Sequence, residues 1–177
     1  MVEQGPRDGD RSELQYDNDF WRFSLAAYEP IDVAEECLAL QDALGLDVNL
    51  LLYCAWFGTR AIVLSRSDIE FASRIVAPWH DNVVRPLRSV RRQIKARFGS
   101  EFENLRSRVK IMELEAEQIE QAMLFAYSRE IQSLRTSTDH RDAITENVRE
   151  YITMMSRPEQ PELAAPFLVR AAQRLAR

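Results

Sequence analysis

A chain of 177 residues has the length of one domain and is long enough to bury a substantial core. Only five glycines stand among many Leu, Ala, Glu and Arg, a balance that favours helices because those side chains lose little entropy there. The net charge of −5 argues against a general nucleic-acid binder and suits a protein of the cytoplasm.

Residues 1–16, "MVEQGPRDGDRSELQY", are polar and carry Gly and Asp, so a flexible tail is expected there. They hold no apolar run, and no signal peptide is expected. A first helix should begin near residues 17–19 and end before Pro30, carrying Phe20, Trp21, Phe23, Leu25 and Tyr28. In the second, Asp32 is expected as the cap with Glu35 completing a capping-box spacing, and Gly45 takes the left-handed position past the end. The third runs from Asp47 as N-cap to about Gly58. It is apolar on every side, which marks it as the central and most buried helix. The apolar run over residues 48–64 is too short for a bilayer and contains Asn49, Thr59 and Arg60, so no membrane insertion is expected. Cys37 and Cys54 lie in apolar segments and read as reduced core thiols.

Ser67 and Glu70 repeat the capping spacing and open a fourth helix towards Ala77. Pro78 fits the first turn of a fifth. There Trp79, Val83, Leu87, Val90 and Ile94 form an apolar stripe, which Pro86 should kink or break. Ser100 and Glu103 suggest another capping box. The next helix is the longest, with Phe102, Leu105, Val109, Met112, Ala116, Ile119, Met123 and Ala126 spaced three or four apart. Continued to Leu134 it would span roughly 50 Å. "RTSTDHR" breaks it. A further helix through Ile144, Val148, Tyr151 and Met155 should end at Pro158 and Pro161, leaving residues 157–177 as a helical or mobile C-terminal tail. The expectation is an all-α, single-domain helical bundle over residues 17–156, with a long helical hairpin from about 79 to 134.

Four segments carry a resemblance: Phe-Trp-x-Phe-Ser-Leu from Phe20, Cys-Leu-x-Leu-Gln-Asp from Cys37, Asp-Val-Asn-Leu-Leu-Leu from Asp47, and Pro-Leu-Arg-x-x-Arg-Arg from Pro86. Over roughly residues 18–125 the chain resembles a small family of uncharacterised proteobacterial conserved-hypothetical proteins, defined by a domain of unknown function. The resemblance implies a bacterial cytosolic setting and supplies no activity, cofactor or site residue.

Two constellations remain as candidate sites. Asn49, Tyr53 and Trp56 share a strip of the third helix continued by Arg60, and Gln41 flanks the apolar face of the second. Gln41, Asn49, Tyr53 and Trp56 together form a candidate ligand or partner pocket. Asp42 should face water. The second constellation is basic: Arg85, Arg88, Arg92 and Lys95 share one face, and no acid lies between Arg85 and Arg97. Its partner is either an outside anion or the Glu113, Glu115, Glu117 and Glu120 series of the next helix, which otherwise reads as a charged surface. No aromatic residue interleaves with the arginines, which counts against single-strand binding.

No metal or cofactor pattern is expected. His80 and His140 are the only histidines, there is no Glu-x-x-His, and the cysteines make no zinc pair. Cys54 and His80 could pair only against the apolar setting of Cys54. The first functional expectation is a non-catalytic protein-binding or adaptor module contacting another bacterial protein or a second copy of itself. The apolar stripe of the longest helix spans more turns than a bundle of this size readily covers, so either part of it meets a partner or another copy, or the helices before and after cover it in full. Binding of an acidic ligand or nucleic acid through residues 85–97 comes next. A small-molecule enzyme around Gln41, Asp47, Asn49 and Trp56 comes third.

Overall fold

The side chain of Asn18 accepts the Trp21 amide at 2.8 Å and opens α1 (Asp19–Tyr28). A computed structural model describes residues 14–131, 135–157 and 163–176. Helix α2 (Ile31–Leu44) starts directly after Pro30, whose fixed φ sets the entry of the chain. Asp32 is therefore inside the first turn rather than at the cap, and its carboxylate accepts the Val33 amide. Gly45, at φ 68°, closes α2 in the left-handed conformation.

Helix α3 (Val48–Thr59) is the centre of the bundle: every residue from Val48 to Gly58 is buried. After it, Ile62–Val63 (β1) and Arg135–Thr136 (β2) form a two-residue antiparallel bridge. Helix α4 (Arg66–Trp79) is capped reciprocally by Ser65 and Asp68, two residues earlier than the Ser67–Glu70 pair. The buried Asn147 fixes that choice by accepting the Leu64 amide at 2.9 Å, which holds the chain in place up to Ser65.

Pro78 begins no new helix. Helix α4 passes through it into a π turn, His80–Val84, and on into α5 (Arg85–Arg97), with Pro86 in the first turn of α5. The Arg85 amide donates to the His80 carbonyl, five residues back. This wider ring accommodates Pro86, which has no amide hydrogen. It also rotates the apolar stripe. Val84 is fully buried in place of Val83, and Val90 is left 47% exposed.

A 3-10 turn, Ser100–Phe102, leads into α6 (Glu103–Ser128). The Ser100–Glu103 box does not form, because Glu103 pairs with Arg106 instead. Helix α6 has 26 residues, about 39 Å of rise, and is shorter than expected because it stops at Ser128. Helix α7 (His140–Met155) crosses α3, and α8 (Pro166–Leu175) places Leu168, Ala171 and Ala172 in the common core. The first amides of α8, those of Phe167 and Leu168, donate to the Glu36 carboxylate of α2. Pro158, Pro161 and Leu134 lie outside the described residues. The architecture is an all-α, single-domain bundle.

Asn147 ties this bundle together. Its side-chain amide donates to the carbonyls of Cys54 (3.1 Å) and Ile62 (2.9 Å) while its oxygen accepts from Leu64. Asn147→Ala leaves these buried groups unpaired and should cost about 3 kcal/mol. Urea denaturation checks this, and a loss below about 1 kcal/mol would mean that water replaces all three bonds.

Candidate functional site

Three buried ionisable side chains meet where the start of α3, the π turn and the middle of α6 converge. Asp47 caps α3 as expected, its Oδ1 accepting the Asn49 amide at 2.8 Å. Its backbone amide donates to the Tyr151 hydroxyl of α7 at 3.0 Å. The second carboxylate oxygen, Oδ2, lies 3.3 Å from His80 Nδ1. Both oxygens of Glu120 approach the same nitrogen, at 3.3 and 3.2 Å. Asp47, His80 and Glu120 are only 7%, 9% and 0% exposed, so solvent screens them little.

Burial, and then the charge of Glu120, push the Asp47 carboxyl well above the usual range. Burial likewise raises Glu120, with Asp47 and Asn49 partly opposing it. Beside the cluster, Gln121 donates to Asn49 Oδ1 at 2.8 Å. The buried amide of Asn49 thus finds its partner on α6.

Helix α6 presents this face because it is rolled away from its apolar stripe. Val109, Glu113, Ala116, Glu120 and Leu124 are buried, while Leu105 and Met112 are 49% and 53% exposed. Glu113, Glu117 and Glu120, read from sequence as a charged surface, instead face α5 and His80. Their partners explain the rotation. Arg88 Nε donates to Glu113 at 3.1 Å and Nη2 to Glu117 at 2.6 Å, while Nη1 donates to Gln41. Arg91 adds a second pair to Glu113. Trp79 Nε1, at the end of α4, also donates to the Ala116 carbonyl of α6 at 2.9 Å.

Above the cluster an open cleft of about 620 Å³ is lined by Gln41, His80, Arg85, Arg88, Arg92 and Arg97, with Asp42 as its one acid. Arg92 holds Asp42 through two bonds of 2.8 and 3.1 Å. Arg85 pairs with Asp81 at 2.9 Å. Both pairs are more than half exposed. Asp42 is half-exposed as expected, but ion-paired rather than merely solvated.

Of the residues expected to form a pocket, Gln41 lines this cleft. Asn49 lies beneath the surface against Gln121. Tyr53 and Trp56 are locked in an aromatic core, with ring centroids 4.9 Å apart for Tyr53–Phe57 and 5.3 Å for Phe20–Trp56. Arg60 covers the Trp56 ring at 4.9 Å. Of the basic face, Arg85, Arg88 and Arg92 line the cleft, and Lys95 is exposed on the same helix outside its lining. Cys54 is buried, and burial, followed by the charge of Glu150, raises its thiol far above the ordinary value. The sequence does not bring His80 and Glu120 together: Glu120 reads with Glu113 and Glu117 as a charged surface rather than as ligands, and His80 is set only beside Cys54. Their one sequence signal is a histidine bracketed by Pro78 and Pro86 in a helix otherwise rich in arginine.

Residues 19–124 match a family model described as a protein of unknown function, DUF2390. No curated protein and no solved structure matches the chain. The matched span contains Asp47, His80, Glu120 and the whole cleft lining, whereas Asn147 and Tyr151 lie beyond it.

Proposed function

Since the chain belongs to the DUF2390 family, whose description assigns no activity, we propose a function from the site itself: it binds a small anionic ligand in the arginine-lined cleft above His80. The observation that carries this reading is the lining, four arginines against one acid. The arginines differ in availability. Arg88 is 12% exposed at its side chain and is engaged by Glu113, Glu117 and Gln41. Arg92 and Arg85 hold exposed aspartates, pairs of small net value that a phosphate or carboxylate can replace with bidentate bonds. Arg97 has no ion-pair partner among the described residues.

Calorimetric titration with inorganic phosphate and with a dicarboxylate should give one site per chain, weakening steeply with added salt. Arg92→Gln and Arg97→Gln should each weaken it about tenfold, near 1.4 kcal/mol. Absence of binding by either anion at low salt would remove the reading, as would unchanged affinity in both variants. Nucleic acid fits less well, because the inner guanidiniums of the basic run already face acids of the same chain.

A separate observation supports the adaptor reading, set in the bacterial cytoplasm as the family resemblance implies. At the outer end of the hairpin Phe98, Phe102, Leu105 and Met112 are between 43% and 56% exposed. That apolar end suits contact with another protein or a second copy of the chain.

A further inference from the structure

We propose that Asp47, His80 and Glu120 form a site for one divalent transition-metal ion of the zinc or manganese class. The donor set comes from three separate elements, the N-cap of α3, the π turn and α6, and each is held by the core. Donor atoms from all three residues lie within 4.8 Å of one another. One imidazole nitrogen with two carboxylates is the mixed nitrogen and oxygen set that such ions take.

The separations from His80 also suit ligands of one ion. Charge-assisted N–H···O bonds run at about 2.7–2.9 Å, whereas His80 Nδ1 stands 3.2 to 3.3 Å from three carboxylate oxygens. Ligands about 2.05 Å from a tetrahedral metal lie about 3.3 Å from each other.

A second observation points the same way. Asp47 Oδ2 is buried and directed into the cluster, yet among the described residues it has no hydrogen-bond partner. The other oxygen of the same carboxylate is fully used as a helix cap. The contact of Oδ2 with His80 Nδ1 at 3.3 Å does not form a hydrogen bond, and a buried carboxylate oxygen without one costs free energy that a cation recovers. The surroundings also provide an outer shell. Tyr151 holds the Asp47 backbone, and Gln121 holds Asn49 against Glu120, the arrangement that keeps ligands aimed at a metal.

Three protein ligands leave one position open on a tetrahedral ion. Of the three residues, His80 also lines the cleft. The proposal does not rest on the anion reading, since the ion binds with the cleft free of ligand.

The test uses tag-free full chain stripped with a chelator and titrated with Zn²⁺ and with Mn²⁺ in a buffer without phosphate or carboxylate. One ion per chain and a raised melting temperature are expected. Glu120→Gln and Asp47→Asn, checked for native circular dichroism, should bind at least tenfold more weakly. A measurement on the unmodified protein keeps the idea falsifiable if the variants misfold. Co²⁺ should give the visible absorption of a four- or five-coordinate ion, and pulsed electron paramagnetic resonance of bound Mn²⁺ should show one imidazole nitrogen. No uptake of any of the three ions by folded protein would overturn the site and leave His80 as a buried ion-pair partner only. So would undiminished affinity in folded Glu120→Gln, or a bound ion without imidazole coupling.

Discussion

Gly58→Ala should destabilise the protein by about 3 kcal/mol, although the same change in an open helix stabilises by up to about 1 kcal/mol. The reason is the crossing of α3 and α7. A Cβ at Gly58 would stand 2.4 Å from the Ile144 Cα, 2.5 Å from its nitrogen and 2.8 Å from its Cγ1. Two of those atoms are backbone, so no rotamer change relieves the contact. Helix α7 would have to retreat, and it carries Asn147 and Tyr151, which hold Leu64, Cys54, Ile62 and Asp47. The damage therefore reaches the Asp47–His80–Glu120 cluster without touching it. A fall in melting temperature of roughly 6–12 °C is expected for a chain of this size. An unchanged or raised melting temperature would mean that the two helices do not cross this closely.

What was legible in the sequence was local. Helix α3 announced itself through an unbroken apolar run, Asp47 through its position before that run, and Gly45 through the backbone conformation only glycine takes easily. What was not legible depended on distant partners. Ser65 with Asp68 and Ser67 with Glu70 are equally good capping pairs. The winner is set by Asn147, 83 residues away from the Leu64 amide that it holds. The π turn adds a residue to one turn, so a stripe counted at a constant period pointed at Val83 and Val90 instead of Val84.

The orientation of α6 was hidden for a different reason. Apolar periodicity assumes that the buried face is apolar, and here Glu113 and Glu120 are buried while Leu105 and Met112 are not. Paired charges can be buried when the partners arrive with good geometry. Those partners are Arg88 and Arg91 on the neighbouring helix. Pairing with these acids is one of the two outcomes open to the basic run from sequence alone. The contacts of His80 are not legible in the same way, because the spacings from Asp47 to His80 and from His80 to Glu120 belong to no local pattern.

Arg88→Met should be the most damaging change on the hairpin, costing on the order of 3–5 kcal/mol. The loss arises less from the pairs removed than from what stays behind: Glu117, which loses its cation with Gln41 beside it, and Glu113, 7% exposed at its side chain and left to Arg91 alone. Adding Glu117→Gln should recover part of the loss, because an uncharged amide is cheaper to leave buried than a carboxylate.

The pH profile gives an independent reading of the same contact. Burial alone would raise Glu113, but Arg91 and Arg88 overcome it and hold the carboxyl below the ordinary glutamate value of 4.5. A carboxyl lowered by folding contributes stability above that ordinary value. The contribution is lost as pH falls through the lower folded value, where the folded state must finally take up the proton. Glu117 is raised by burial against the opposing pull of Arg88, so its contribution runs the other way and is lost as pH rises through its folded value. Asp42 and Glu103 are also lowered, by Arg92 and Arg106, and they remain on the acid side in the variant. Arg88→Met should therefore flatten the acid limb of stability against pH without abolishing it. Chemical denaturation from pH 3 to pH 7 measures this limb. A variant as stable as the parent, with an unchanged limb, would show that Arg88 is not committed to α6. The innermost guanidinium of the cleft would then be free for an anion, and the division between structural Arg88 and ligand-facing Arg92 and Arg97 would fall.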